Sequence, residues 1–268
     1  MPLKLDNLDL SKHVIILTGA TDGIGKEMAR ILAGFNPKRL ILPARNIEKG
    51  NNLLEYIKSS NGHVNNVEIW EMDLGDLQSV KNFANKFIKE VNHLAPFLLI
   101  WLLLDTMKRS VSAELPGKIA FTTSVSNQFG EIDFDNLNLE KNNSWHPFKG
   151  YGNTKLMEII ISKHLGRMVQ SENITTCSIH PGIIHTNITQ LSSPLFASIF
   201  KILTKVIRAE ITAEQGAINV LYPVFSLETG KYYNEGIEDE PNKIAYDQEI
   251  EKKLWDVSEQ ILKDHGMI

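Results

Sequence analysis

The chain has a single cysteine, Cys177, in 268 residues. One thiol cannot close an internal disulfide and leaves no cysteine-based metal site, which suits a reducing compartment. The eight histidines fall at no ligand spacing such as H-E-x-x-H, so no metal is expected. A strong charge of one sign is missing too. A net charge of -4 with 22% charged residues argues against a nucleic-acid or anionic-membrane partner. Long apolar runs are also lacking: residues 1–12 have no apolar core of the signal-peptide kind, and the most apolar stretch, Phe97 to Leu104, is far too short to span a bilayer. There is no repeat, low-complexity segment or linker. These absences leave a cytoplasmic enzyme or binding domain, 43% hydrophobic, and long enough to form one α/β domain over 1–268.

What is present begins with His13 to Leu17, a continuous β-branched run that predicts a parallel strand buried on both faces. Thr18-Gly19-Ala20-Thr21-Asp22-Gly23-Ile24-Gly25 follows, then a helical pattern at Met28, Ala29, Ile31 and Leu32. Strand, glycine-rich turn and helix in this order suit a pyrophosphate, because the glycines admit a close backbone approach and the helix N-terminus offers free N–H groups and positive dipole. The second strand is predicted over Arg39 to Ala44, with Pro43 at its end. In a dinucleotide fold an acid just past this strand would bond the ribose of NAD(H). Here Ala44 and Arg45 stand there instead, which favours NADP(H). A helix over Glu48 to Ser60 and an edge strand over Val67 to Met72 come next. Asp73 either accepts from an adenine amino group or caps a helix over 77–88.

Further along, Tyr151 and Lys155 open a run with helical periodicity (Leu156, Met157, Ile159, Ile160), and four-residue spacing puts phenol and ammonium on one helix face. A nearby ammonium favours phenolate over phenol, moving a tyrosine from its usual pKa of about 10 towards working pH. Ser124 stands at the carboxyl end of a strand over Ile119 to Thr123, where open α/β sheets bind ligands. A strand over 174–180, helices over Thr212 to Val224 and Glu249 to Lys263, and a short strand over Gly230 to Tyr233 complete the pattern. Glu131 to Lys149 reads as a loop anchored by Trp145 and Phe148, and for His180 and His185 packing or exposure is the expectation.

T-G-A-T-D-G-I-G resembles the T-G-x-x-x-G-x-G fingerprint of the classical short-chain dehydrogenases/reductases, and the resemblance covers almost the whole chain. Asp73-Leu74 looks like that family's adenine-contacting pair. Asn92-His93-Leu94 looks like the start of the helix carrying its catalytic Asn. Residues 117–124 are similar to the strand ending in its Ser, Tyr151 to Lys155 match Y-x-x-x-K, and Pro181-Gly182-Ile183-Ile184-His185-Thr186 match the P-G-x-x-x-T loop. Within the family, G-I-G-K-E, A-R-N-x-E-K, V-N-H-L-x-x-F-L-L, S-x-x-x-G-K-Y-Y and K-K-L-W resemble the retinol-dehydrogenase and WW-domain-oxidoreductase-like branch.

The resemblance implies a doubly wound, mostly parallel three-layer α/β sheet of Rossmann type, with a cofactor half over about 12–90 and a catalytic half over about 91–268. It implies an alcohol–carbonyl oxidoreductase using NADP(H). Gly19, Thr21, Asp22, Gly23, Ile24, Gly25, Arg45, Asp73, Leu74, Pro181, Gly182, Ile183 and Thr186 would hold the cofactor together with Tyr151 and Lys155. Tyr151 would be the proton donor, Lys155 its tuner, Ser124 the carbonyl's hydrogen-bond donor and Asn92 the holder of a relay water. A greasy helical segment over Gln190 to Ala209 would be the substrate lid, implying a lipophilic retinoid-, steroid- or lipid-aldehyde-like substrate; it is compatible with a shallow membrane contact as well, though nothing else indicates one. A homo-oligomer is left open.

One departure is large. The family's fourth strand, ending N-N-A-G, is missing, and Glu90 runs straight into Val91-Asn92. Its loss would expose backbone groups on the neighbouring strands, each costing about 1–3 kcal/mol if buried. Either Phe97 to Leu104 stays helical and the sheet closes up or stays open, or that run is recruited as a strand. Leucine content and Pro96 in a tolerated first-turn position favour a helix there. The alternative function is a catalytically impaired, cofactor-binding or interaction protein of the same fold.

Overall fold

The computed structural model describes residues 5, 8–62, 65–76, 79, 94–137, 147–184, 210–225 and 228–268. They group into two compact units, Met1–Glu71 with Pro181–Tyr222, and Met72–His180 with Pro223–Ile268.

In the first unit β1 (Val14–Ile16), β2 (Arg39–Ala44) and β3 (Val67–Glu71) form a parallel sheet in that order. β2 is central, and Leu40, Ile41 and Leu42 are fully buried. Two helices connect the strands. α1 (Gly23–Gly34) is capped by Asp22 and buries Met28, Ala29, Leu32 and Ala33 at helical spacing. α2 (Ile47–Asn61) is capped by Asn46 and stopped by Gly62, which takes the left-handed φ of 80° that a side chain would strain. Glu27 ties the two helices, accepting from Tyr56 Oη at 2.5 Å and Arg30 Nε at 2.7 Å. The edge position expected for β3 holds. The expectation that His13 to Leu17 is buried on both faces does not: β1 is shorter, and Val14 is 48% exposed. Among the described residues β1 pairs only with β2, so its other edge has no strand to cover it.

The second unit holds a sheet of order β4 (Gly117–Thr122), β5 (Ile174–His180), β8 (Lys231–Asn234) and β9 (Ile237–Glu238), parallel except for the last hairpin. Here too β4 has a strand neighbour on one side only among the described residues. The apolar run at Phe97 to Leu104 is helical, inside α3 (Leu94–Ser110). Leucine side chains lose little rotamer freedom in a helix, and Pro96 lies in the first turn, where no intrahelical donor is lost. Phe97 packs edge-on against Trp255 of α6 (Gln248–Asp264), with ring centroids 4.7 Å apart. α4 (Pro147–Met168) buries Leu156, Ile159, Ile160 and Leu165 in the same core. Its first turn precedes Tyr151, so the loop expected to reach Lys149 ends earlier.

Two short strands of the first unit were not anticipated. β6 (Ile183–Ile184) and β7 (Glu210–Ile211) pair in parallel, just before α5 (Ala213–Val224). Among the described residues no helix is long and apolar enough to cross a membrane.

Candidate active site

The catalytic candidates of the second unit are built on β4 and α4. β4 ends at Thr122, and Ser124 begins a 3-10 helix over Val125–Phe129, its Oγ accepting from the Ser126 N–H at 3.2 Å. α4 runs hard against this turn. A Cβ on Gly152 would lie 2.9 Å from the Ser126 carbonyl oxygen, and one on Gly130 would lie 2.8 Å from the Gly152 oxygen. Asn153, buried beside them, accepts from the Glu131 N–H at 2.9 Å. A glycine inside a helix costs about 1 kcal/mol relative to alanine, and here the close approach of two backbones requires it.

On this helix Tyr151 is 41% exposed. The Lys155 Nζ lies 5.8 Å from the Tyr151 ring centroid, on the same face. Lys155 also reaches the strand end, donating to the Thr122 carbonyl oxygen at 3.0 Å. Ser124, Tyr151 and Lys155 are therefore gathered by one strand end and one helix face. Lys155 has a further partner that the sequence reading missed. Glu158, buried, takes it in a bidentate pair at 3.0 and 2.9 Å. Burial pushes the Glu158 carboxyl up, and the Lys155 ammonium opposes that shift. The available signal was the i,i+3 spacing of Lys155 and Glu158.

The turn that carries Ser124 is propped from behind. Asn127, fully buried, donates to the Ser124 carbonyl oxygen at 2.8 Å and to the Tyr232 hydroxyl at 3.3 Å. Burial pushes that phenol up to about 12, so Tyr232 stays a neutral hydrogen-bonding group. Asp73 sits in a tight turn: its Oδ1 accepts from the Gly75 N–H at 2.8 Å, and its own N–H donates to Ser79 Oγ at 2.9 Å. Leu74 follows it, half-buried. His180 is buried, as expected, and burial depresses its pKa to about 4.

The cofactor candidates of the first unit form two groups. Gly19 and Gly23 have φ of 68° and 52°, a backbone path that disfavours side chains. A Cβ on Gly25 would come within 2.1 Å of the Gly19 carbonyl oxygen. Thr21, Asp22 and Ile24 lie between these glycines, at the N-terminus of a twelve-residue helix. The cradle fits a dinucleotide's pyrophosphate: its floor is bare backbone, and the helix end presents N–H groups. Arg45 is exposed directly after β2, and Ala44 is buried. In the second group, Pro181 and Gly182 are buried, Ile183 is half-buried, and the Pro181 carbonyl oxygen accepts from Asn219 Nδ2 at 2.9 Å.

Asn92, His185, Thr186, Trp145, the Phe148 side chain, the lid over 190–209 and all but Ser79 of the helix expected over 77–88 lie outside the described residues. Among the described residues no cluster of His, Cys, Asp and Glu is arranged to hold a metal ion.

The family model described as short chain dehydrogenase matches residues 13–95. Retinol dehydrogenase 11 of Mus musculus is 30% identical to the chain, over 96% of the chain and 88% of that protein. The WW domain-containing oxidoreductase of Gallus gallus is 28% identical, over 97% of the chain and 70% of that protein. Among solved structures, the Pseudomonas aeruginosa RhlG/NADP active-site complex superposes with a TM-score of 0.62 at 16% identity, covering 85% of this chain and 97% of that one. At that identity the likeness is one of fold, and the fold is the Rossmann-type α/β arrangement.

Proposed function

The chain belongs to the short-chain dehydrogenase/reductase family of oxidoreductases, and on that premise we propose that it interconverts a lipophilic alcohol and its carbonyl using NADP(H). The observation that carries this reading is the convergence of Ser124, Tyr151 and Lys155 on one strand end and one helix face. The cofactor, when bound, supplies or accepts the hydride. Ser124 hydrogen-bonds the substrate oxygen, Tyr151 gives or takes the proton at that oxygen, and Lys155 supplies the positive charge that eases the proton's departure. Gly19, Gly23 and Gly25, with Thr21, Asp22 and Ile24, cradle the pyrophosphate, and Pro181, Gly182, Ile183 and Thr186 belong to the nicotinamide loop. Asp73 and Leu74 flank the adenine, and Asn92 holds a relay water. Exposed Arg45, with no acid beside it at the end of β2, supports NADP(H) over NAD(H) through the 2′-phosphate. The retinol dehydrogenases among the relatives and the apolar stretch over 190–209 support a lipophilic substrate.

The test is turnover of purified protein with NADPH and NADH against aldehydes, ketones and retinoids. Expected is NADPH-dependent reduction that falls by about 10²–10⁴-fold in Tyr151→Phe. Turnover unchanged in that variant would sink the assignment.

A second reading is favoured by the bare second edges of β1 and β4 among the described residues: a member of the family that binds NADPH without turning it over. It is distinguished by a cooperative thermal transition that NADPH raises, with no reduction of any carbonyl offered.

A further inference from the structure

Three acceptors surround the Lys155 ammonium: the Thr122 carbonyl oxygen at 3.0 Å, and Glu158 Oε1 and Oε2 at 3.0 and 2.9 Å. The pair is enclosed: Glu158 is 8% exposed, and among the described residues Lys155 is the charged group that acts on its carboxylate. Bidentate, charge-assisted bonds in such surroundings are the strong kind. In this arrangement the ammonium is turned to the strand end and the carboxylate, and the carboxylate offsets the charge that would attract an anionic dinucleotide.

We propose that Glu158 is a latch that holds Lys155 onto the end of β4, and that cofactor binding has to draw the ammonium off it. The inference rests on the oxidoreductase reading above, because it takes Lys155 to be the group that meets the cofactor's ribose. Glu158 acts through Lys155 and touches neither substrate nor cofactor, so it is a positioning residue. Its effect is to weaken NADPH binding in exchange for a lysine held in register with Ser124 and Tyr151. Replacing the carboxylate by an amide removes one acceptor and the negative charge while keeping the shape, which loosens the hold on the ammonium and leaves its charge to the dinucleotide.

The experiment is a titration of the full chain with NADPH, read by nucleotide fluorescence, so that no turnover is needed. Four proteins are compared: the wild type, Glu158→Gln, Lys155→Met and the double variant. Expected is binding about tenfold tighter in Glu158→Gln, the worth of roughly one charge-assisted hydrogen bond. In the Lys155→Met background the same substitution changes nothing, because the latch has nothing to hold. Glu158→Asp, which keeps the charge, stays close to the wild type. Should Glu158→Gln fail to fold, Glu158→Met carries the same expectation, with a side chain of similar length suited to a buried site. Equal affinity in the wild type and Glu158→Gln overturns the latch, as does a gain of equal size with and without Lys155. Absence of NADPH binding in every variant overturns the oxidoreductase reading itself, and the latch with it.

Discussion

Asn127 and Asn242, 115 residues apart, hold each other by reciprocal bonds. The Asn127 Oδ1 accepts from the Asn242 N–H at 2.9 Å, and the Asn242 Nδ2 donates to the Asn127 carbonyl oxygen at 3.2 Å. Asn242 Nδ2 also lies 3.0 Å from the Gly130 carbonyl oxygen. The pair closes the turn that starts at Ser124. Asn127→Ala and Asn242→Ala should each cost about 1–3 kcal/mol, because each strands buried polar partners. The double variant should cost less than the sum. Urea unfolding of the three proteins measures both, and simple additivity would show that the two residues act separately.

Gly25→Ala should cost cofactor binding before it costs the fold. The added methyl would meet the Gly19 carbonyl oxygen at 2.1 Å, so the glycine turn must move by more than side-chain repacking allows. Overpacking of this kind is worth about 1–3 kcal/mol. The expected result is retained helical circular dichroism with the NADPH-dependent rise in melting temperature abolished. A rise equal to that of the wild type would place the pyrophosphate elsewhere.

His180 should make the protein sensitive to acid. Its folded pKa is depressed to about 4 from an ordinary value of 6.5 because the imidazole is buried, and among the described residues Nδ1 has no hydrogen-bond partner. The neutral form is favoured in the fold. Its contribution is therefore whole above pH 6.5 and is lost as pH falls to about 4, up to about 3 kcal/mol in all. Urea midpoints measured across that window should decline in the wild type and decline less in His180→Leu.

Cys177 should be inert while the protein is folded. Burial pushes its thiol up to about 12, so almost no thiolate is present at neutral pH. A disulfide reagent should titrate no thiol in buffer and one per chain in denaturant. Rapid labelling of the native protein would show that β5 opens locally.

Much of the fold was legible in the order of residues because it rests on local rules. Short runs rich in apolar or β-branched residues specified β2 and β5, the glycine turn specified the start of α1, and spacing alone placed Tyr151 and Lys155 on one face. The missing N-N-A-G segment was legible too, and so was the helical state of Phe97 to Leu104, whose leucines carry that preference themselves.

What needed the third dimension was every feature made by residues distant in the chain, or by competition between partners. The exposure of β1 depends on which strands lie beside it, and an apolar run reads the same at an edge as in the middle. The reciprocal bonds of Asn127 and Asn242 join two polar residues whose own segments suggest only turns. Lys155 shows the division most clearly. Its spacing from Tyr151 is fixed by helical pitch and could be read from five letters, whereas its engagement with Thr122 and Glu158 depends on where a strand ends and how deeply a carboxylate is buried, which only packing decides.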